Sequence, residues 1–521
     1  MERIVSFFRK QGTVFAAVAA VAAAVALYAF AVGFGPLNQD EGWYLYAARS
    51  VAEGKTLYRD FFFTQGPVLP AVYGAFHALW QPFGVLGGRL FTAFLGILSC
   101  FFAAALAARS LPPGRRLCAA VTAFAFTGCN LYHAYFTSIP KTYALASLFV
   151  LGGFLLLTFC DGKGAGFFAF FGGFLVAVGA GTRVSLILLL PPAAFGLLMM
   201  RRRYGFSWLW FGVGATAGVA AVYAVPLLAS TDSFLFAQTF HVTRGGRNLA
   251  LSVGALSRIV RGYFPLVALT AAVALLRFLR SPGGETAEPQ ESRSPLPLFW
   301  LVCAAAVFLF QLASPHPYDD YQVPVMGLFA AAAAAWCAER GAAAKPDGRL
   351  ALVAVLFAGL TAFSTSQLQE WFVIRQDRFW TLMREKSDLA QLREVGRQLR
   401  TLAPKGGVLL TQDAYLAVES GLVLPPGLEM GPFSYFPDDE EAVRHRVVNR
   451  DSLRRLLEEA PGEVCAYSGY GWAIASPVMT PVPDAERRGF LEAIERRYEE
   501  VAVVPDFGQN KTALRIMKRK P

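Results

Sequence analysis

Two adjacent carboxylates, Asp40 and Glu41, head a stretch from Asn38 to Pro70 in which aromatic and charged residues crowd between apolar runs. A carboxylate beside a hydroxyl can act as a general base, so the pair is a candidate for acid–base chemistry. The spacing also has a structural reading. Asn38 with Glu41 three residues on fits a capping box and Gly54 fits a helix stop. This predicts a surface-lying helix over 41–53 with Trp43, Tyr44 and Tyr46 as interfacial aromatics. Cations that could receive a phosphate are scattered along the chain, at Arg59, Lys141 and Arg183. Arg183 lies between two short apolar runs, where a charge at a helix centre costs roughly 2.5 to 3.5 kcal/mol, so it needs either a partner or a place at the membrane edge. His316, Tyr318, Asp319 and Asp320 share one short proline-flanked loop. They could bind a sugar, a phosphate or a divalent ion, or form a turn and helix cap. One histidine and two adjacent carboxylates do not reproduce a dedicated metal spacing. His241, Arg244, Arg247, Arg258 and Arg261 form a basic run suited to a donor or to anionic headgroups.

The elements that must position these residues are mostly apolar. Of 521 residues 55% are hydrophobic and 16% charged, and mean hydropathy is +0.42, whereas soluble domains carry about 25% charge. Windows of spanning length recur near 13–35, 88–109, 117–134, 142–160, 165–181, 183–200, 206–229, 262–279, 297–313, 322–338 and 349–366, giving about eleven crossings. Arg3, Arg9 and Lys10 precede the first window, which keeps the N-terminus cytoplasmic. The run is long and shows no single cleavage site, so it reads as a span and not as a signal peptide. Alternation then gives every short inner loop a base and puts 36–87, 135–141, 230–261, 314–321 and all residues after 366 outside. The net charge of +11 therefore reads as topology and not as a nucleic-acid footprint. The tail, 367–521, loses the long apolar runs. It predicts a helix over 376–402, strands at 408–411 and 464–467, a helix over 485–499 and a strand at 512–517, an α/β domain beyond the membrane. The seven cysteines have no ligand spacing, and no nucleotide-binding glycine loop or hydrolase elbow occurs.

The first outer segment resembles that of the C-type glycosyltransferases that use lipid-phosphate sugar donors, the membrane family that includes protein mannosyltransferases and the aminoarabinose transferase of lipid A. The matching features are Asp40-Glu41 just after the first span, the aromatic helix with Ala48-Arg49-Ser50, Gly54 before Tyr58-Arg59-Asp60, and the Gly66-Pro67 turn. Softer matches are Arg89, Arg183 and the His316 loop. The resemblance implies an all-α polytopic bundle with the outer α/β tail. It makes Asp40 the expected base with Glu41 as second choice, while Arg183, Lys141 and Arg59 are candidates for the donor phosphate by position, as bases on the outer side. Tyr44, Tyr58, Asp60, His316, Tyr318 and Asp319 are expected at the substrate. Two departures stand out. Gln65-Gly66-Pro67 lacks the basic residue that some relatives carry at that turn, and Lys141 falls where relatives often have an acidic residue.

The implied activity is transfer of a sugar from a polyprenyl-phosphate donor to a lipid, glycan or protein acceptor, with inversion, on the periplasmic face of a bacterial inner membrane. Nothing in the chain demands a cofactor, although some relatives use a divalent cation. A polytopic transporter or lipid flippase is the rival, but the charges lie in outer loops and no paired broken helices repeat in the two halves.

Overall fold

The computed structural model describes residues 2–239, 249–279, 294–339, 348–364, 384–437, 440–469 and 483–521. The expected domain boundary at 366, His241, Arg244, Arg247, the start of the tail helix and the polar inner loop at 280–293 lie outside them. Five described helices are long and apolar enough to cross a membrane: Gly12–Phe34, His77–Arg109, Ala165–Thr182, Ser207–Gln238 and Asp319–Glu339. Shorter apolar helices join them at Thr142–Leu157, Val184–Met199, Leu296–Leu312 and Leu350–Leu360. The first helix, α1 (Glu2–Phe34), shows how they pack. Ala16, Ala20, Ala24, Leu27 and Ala31 face the bundle, while Phe15, Val18 and Val25 are exposed, the pattern of a small-residue face inside and a large apolar face toward lipid. The chain is a multi-pass helical membrane protein.

Helix α2 (Gln39–Ala52) follows the first span as predicted. The Asp40 N–H donates to Asn38 Oδ1 at 3.0 Å and the Asn38 N–H to Glu41 Oε1 at 2.8 Å, and Gly54 at φ +90° takes the left-handed turn beyond the end. Its aromatics do not line a membrane interface. Trp43, Tyr44 and Tyr46 are all buried, because the tail covers the helix. After α3 (Val68–Ala75), α4 (Gly84–Arg109) and α5 (Pro113–Gly128), the chain makes the short α6 (Leu131–Phe136) and a buried turn into α7 (Thr142–Leu157).

The apolar stretch 165–200 is broken at Arg183. Helix α8 (Ala165–Thr182) ends there, Arg183 is extended at φ −143°, and a 3₁₀ turn (Val184–Leu189) leads into α9 (Leu190–Met199). Pro191 and Pro192 cannot donate backward into a preceding helical turn but suit the first positions of a new helix, which accounts for the restart at Leu190. Helix α10 (Ser207–Thr239) is kinked at Ser230, beyond an internal Pro226. The remaining bundle helices are α11 (Leu249–Gly262), α12 (Phe264–Leu279), α13 (Leu296–Leu312), α14 (Val323–Glu339) and α15 (Gly348–Ser364).

The tail is α/β. Helix α16 (Asp388–Leu402), α17 (Ala414–Ser420), α18 (Arg450–Glu459) and α19 (Asp484–Arg497) surround a four-stranded sheet in the order β1-β2-β4-β3. Strands β1 (Leu409–Leu410) and β2 (Val464–Tyr467) pair in parallel, and β4 (Thr512–Arg519) runs antiparallel to both β2 and β3 (Tyr498–Phe507). Strand β3 has no counterpart in the predicted elements. Its residues are mostly exposed, so it lacks the apolar alternation that marks a half-buried strand. Alternation divides the sheet's two faces. Leu409, Val464 and Ile516 join the core beneath α2, whereas Leu410, Cys465 and Met517 pack with α18 and α19.

Candidate active site

Four helix ends bring charged residues together. Asp40 lies in the first turn of α2, where the helix dipole favours a carboxylate. Its Oδ2 is 2.9 Å from Lys141 Nζ, and Trp43 Nε1 donates to its Oδ1 at 3.3 Å. Lys141 closes the buried turn before α7 and also reaches Asp320 Oδ2 at 3.2 Å. Tyr143 donates to the same Asp320 oxygen at 2.7 Å. Burial opposes the ammonium charge, but Asp40, Tyr143 and Asp320 outweigh it and hold the Lys141 pKa well above that of an ordinary lysine. Arg183, freed from the helix by its extended backbone, lays its guanidinium over the Tyr321 ring at 3.8 Å and within 5.3 Å of the Tyr143 ring. Tyr143 lies 5.3 Å from Lys141 as well, so one ring touches both cations. Burial, and next the charge of Asp40, push the phenol of Tyr44 up.

Glu41 serves a different purpose. It faces away from this group and makes a two-pronged, fully buried pair with Arg89, at 2.6 and 2.7 Å. Arg89 spends its other donors on the carbonyls of Val32, Gly35 and Pro36, where α1 ends. With both oxygens occupied and no exposure, Glu41 is built to fix the entry to α2 and not to meet a substrate.

The other expected site residues divide. Asp319 turns away from its neighbour Asp320 and accepts from Tyr132 Oη at 2.7 Å and Arg258 Nε at 3.0 Å. Arg59 and Asp60 pair with each other in an exposed turn, and among the described residues Arg59 makes no contact with the Asp40–Lys141 group. The Arg59 hydrogen bonds hold the Asp60 carboxyl below its usual range. Tyr58, at φ +67°, is buried and donates to the Gln65 carbonyl at 2.6 Å, shaping the Gln65-Gly66 turn. His316 stacks near Tyr318 at 6.5 Å.

Beyond Arg183 opens a cavity of about 690 Å³. Gln65, Gly66, Arg183, Gln311, His316 and Tyr321 contribute its polar part, and Val184, Ile187, Leu188, Leu227, Phe234 and Phe310 its apolar walls. Both arms of the kinked α10 contribute. Tyr143 and Tyr321 are residues of this group that the pattern of the chain did not single out, and Asp320 was read only as one of the His316 loop's candidates. The only pointer was the Tyr318-Asp319-Asp320-Tyr321 run, and a 3₁₀ turn at Asp319–Gln322 sends adjacent side chains about 120° apart, to different neighbours.

Lys141 occupies the space between the Asp40 and Asp320 carboxylates. A metal bridging Asp40 and Asp320 would have to displace the Lys141 ammonium from between them, and no cluster of three or more His, Cys, Asp or Glu occurs among the described residues.

No family model matches the chain, and no curated protein matches it by sequence. Solved structures do match. ArnT from Cupriavidus metallidurans bound to undecaprenyl phosphate superposes with a TM-score of 0.58 at 14% identity, over 96% of this chain and 97% of that one. The apo state of the same protein gives 0.58 at 15% identity, with the same coverage. An Archaeoglobus fulgidus oligosaccharyltransferase tethered with an acceptor peptide gives 0.48 at 11% identity, over 96% of this chain and 73% of that one. The chain therefore shares the fold of ArnT from Cupriavidus metallidurans over nearly the whole length of both.

Proposed function

We propose that this protein transfers a sugar from a polyprenyl-phosphate carrier to a hydroxyl-bearing lipid, glycan or protein acceptor. The observation that carries the reading is Lys141 held between Asp40 and Asp320, one tyrosine ring from Arg183 and its largely apolar cavity. An apolar cavity headed by a cation suits a prenyl phosphate, and ArnT, with which the fold is shared, was solved with undecaprenyl phosphate.

In the proposed step Asp40 takes the proton of the acceptor hydroxyl as its oxygen bonds to the anomeric carbon. The bond from that carbon to the phosphate oxygen breaks, and its electron pair leaves on the prenyl phosphate, which gains one negative charge. Arg183 and Lys141 offset that charge. Attack opposite the leaving phosphate inverts the anomeric centre. In this reading Tyr44, His316 and Tyr318 contact substrate, while Glu41, Tyr58 and Asp319 act by holding the elements around it. The reading includes eleven crossings of a bacterial inner membrane, a cytoplasmic N-terminus, a membrane domain over 1–366 and a periplasmic domain over 367–521.

Sugar transfer from a radiolabelled polyprenyl-phosphate donor, with a membrane extract as acceptor, tests this in wild type and Asp40→Asn of equal folding. The variant is expected to lose about 100-fold or more in rate. Near-wild-type transfer would remove Asp40 from the role of base. No transfer by wild type with a panel of donors would favour a transporter.

A further inference from the structure

The cavity beyond Arg183 has two chemistries. Its walls at Ile187, Leu188, Leu227 and Phe310 are hydrocarbon, but one part gathers groups that hydrocarbon cannot satisfy. Gln311 is 3% exposed; its Nε2 donates to Ser185 Oγ at 2.9 Å, and its Oε1 has no hydrogen-bond partner. Ser314 Oγ, Gln238 Nε2 and Arg183 Nε, all on the cavity lining, are likewise buried and unpartnered. Buried polar atoms are normally paired, so four orphans around one space point to a ligand that pairs them.

The kinds of orphan restrict that ligand. Arg183 Nε only donates, a serine hydroxyl does both, and each amide presents a donor or an acceptor to the cavity according to how it is turned. A phosphate only accepts, so it pairs the set only where both amides turn their NH2 groups into the cavity, and a prenyl chain pairs none of it. Sugar hydroxyls donate and accept from one oxygen. Charge narrows the choice further. Among the described residues no carboxylate lines the cavity, whereas Arg183 and His316 do. Asp320, whose charge Arg183 feels, is already taken up by Lys141 and Tyr143. A protonated amine placed here would be buried beside a guanidinium without a counter-ion, an arrangement that low-dielectric surroundings penalise strongly.

We propose that this polar end binds the transferred sugar of the donor, and that it selects an uncharged, hydroxyl-rich sugar over an amino sugar, with Gln311 and Ser314 as the specificity residues. The inference rests on the donor reading above and adds the class of sugar.

The test is competitive binding to the purified full-length protein of three ligands on one short polyprenyl phosphate: the bare carrier, the carrier with a neutral hexose or pentose, and the same glycoside with one hydroxyl replaced by an amine. Wild type should bind the neutral glycoside at least tenfold tighter than the bare carrier, and the amino glycoside no tighter than the bare carrier. Gln311→Ala should erase the neutral gain, and Gln311→Glu should turn the preference toward the amino glycoside. Ser314→Ala, which should also reduce the gain, keeps the test open should a Gln311 variant fail to fold. Equal or tighter binding of the amino glycoside by wild type would overturn the proposal, as would a neutral gain untouched in all these variants. Binding gain without transfer to any acceptor would sink glycosyl transfer and leave the sugar selectivity standing. Failure of even the bare carrier to bind would sink both.

Discussion

Asp40 and Glu41 are neighbours in one helical turn with opposite fates, and the difference is measurable. Asp40 keeps some exposure and shares Lys141 with Asp320, so its loss leaves the lysine a partner. Among the described residues, Glu41 is the sole carboxylate paired with a fully buried arginine. Removing one partner of such a pair costs about 3 to 5 kcal/mol, because the remaining charge stays buried. Glu41→Gln is therefore expected to lower the thermal midpoint of the detergent-purified protein sharply, while Asp40→Asn leaves it nearly unchanged; equal midpoints would contradict this division. A second titratable residue, Glu429 in the tail, is buried and accepts from the Gly427 N–H at 2.8 Å. Burial pushes its carboxyl up to about 7. Its folded pKa is above the unfolded value of about 4.3, so the folded state holds the proton more tightly. The stabilisation this gives is present in full below about pH 4.3, fades as pH rises toward about 7, and is gone above, a swing on the order of 3 kcal/mol. Glu429→Gln, which keeps the acceptor oxygen, should raise the midpoint over wild type at pH 8 and match it near pH 4.5.

At the scale of elements, the site depends on how α8 ends. A Cβ on Gly66 would come within 1.9 Å of the Gly181 carbonyl oxygen, a backbone atom two residues before Arg183. The Gln65-Gly66 turn and the last turn of α8 therefore touch as only glycine allows. Gly66→Ala should push that turn aside and carry Arg183 with it, weakening prenyl-phosphate binding tenfold or more in a protein that still purifies as a folded species. Wild-type affinity in this variant would show that Arg183 is not held through this contact. Such contacts explain which parts of the site were legible in the sequence. Arg183 stood out because a charge between apolar runs is costly and so needs a reason, Lys141 as a base on the outer side, and Asp40 as half of an acidic pair at a helix start. The helix of the first outer segment was legible from its caps. Asp320 was not separable from Asp319, since nothing in a Tyr-Asp-Asp-Tyr run tells which carboxylate a tight turn aims inward. The bond from Glu41 to Arg89 joins residues 48 positions apart, and capping alone already gave Glu41 a reason to be there. Strand β3 failed for a plainer reason: an exposed edge strand carries no burial pattern to read.

Across the whole molecule, the tail is part of the site's foundation. The Leu424 N–H donates to Tyr46 Oη at 2.9 Å, Arg49 reaches the Leu422 carbonyl at 2.9 Å, and the Leu37 N–H donates to Asp388 Oδ2 at 3.0 Å. One hydrophobic core runs from Trp43, Leu45 and Phe62 into Leu399, Leu416 and Ile516 of the tail. The helix that presents Asp40 is thus packed between bundle and tail, and the aromatics expected at a lipid interface supply that packing. Gly42 is where the approach is closest, for a Cβ there would lie 2.2 Å from the Tyr415 backbone nitrogen. Neither backbone can yield without moving α2 or α17. Gly42→Ala lies on the face opposite no catalytic charge of its own, yet it should pry the tail from α2, shift Asp40 relative to Lys141 and cut transfer by at least tenfold. Limited proteolysis should release the tail faster than in wild type. A variant with normal transfer and normal protease resistance would mean that the tail merely rests on the membrane domain, and that Asp40 takes its position from the Asn38 cap and the Arg89 pair alone.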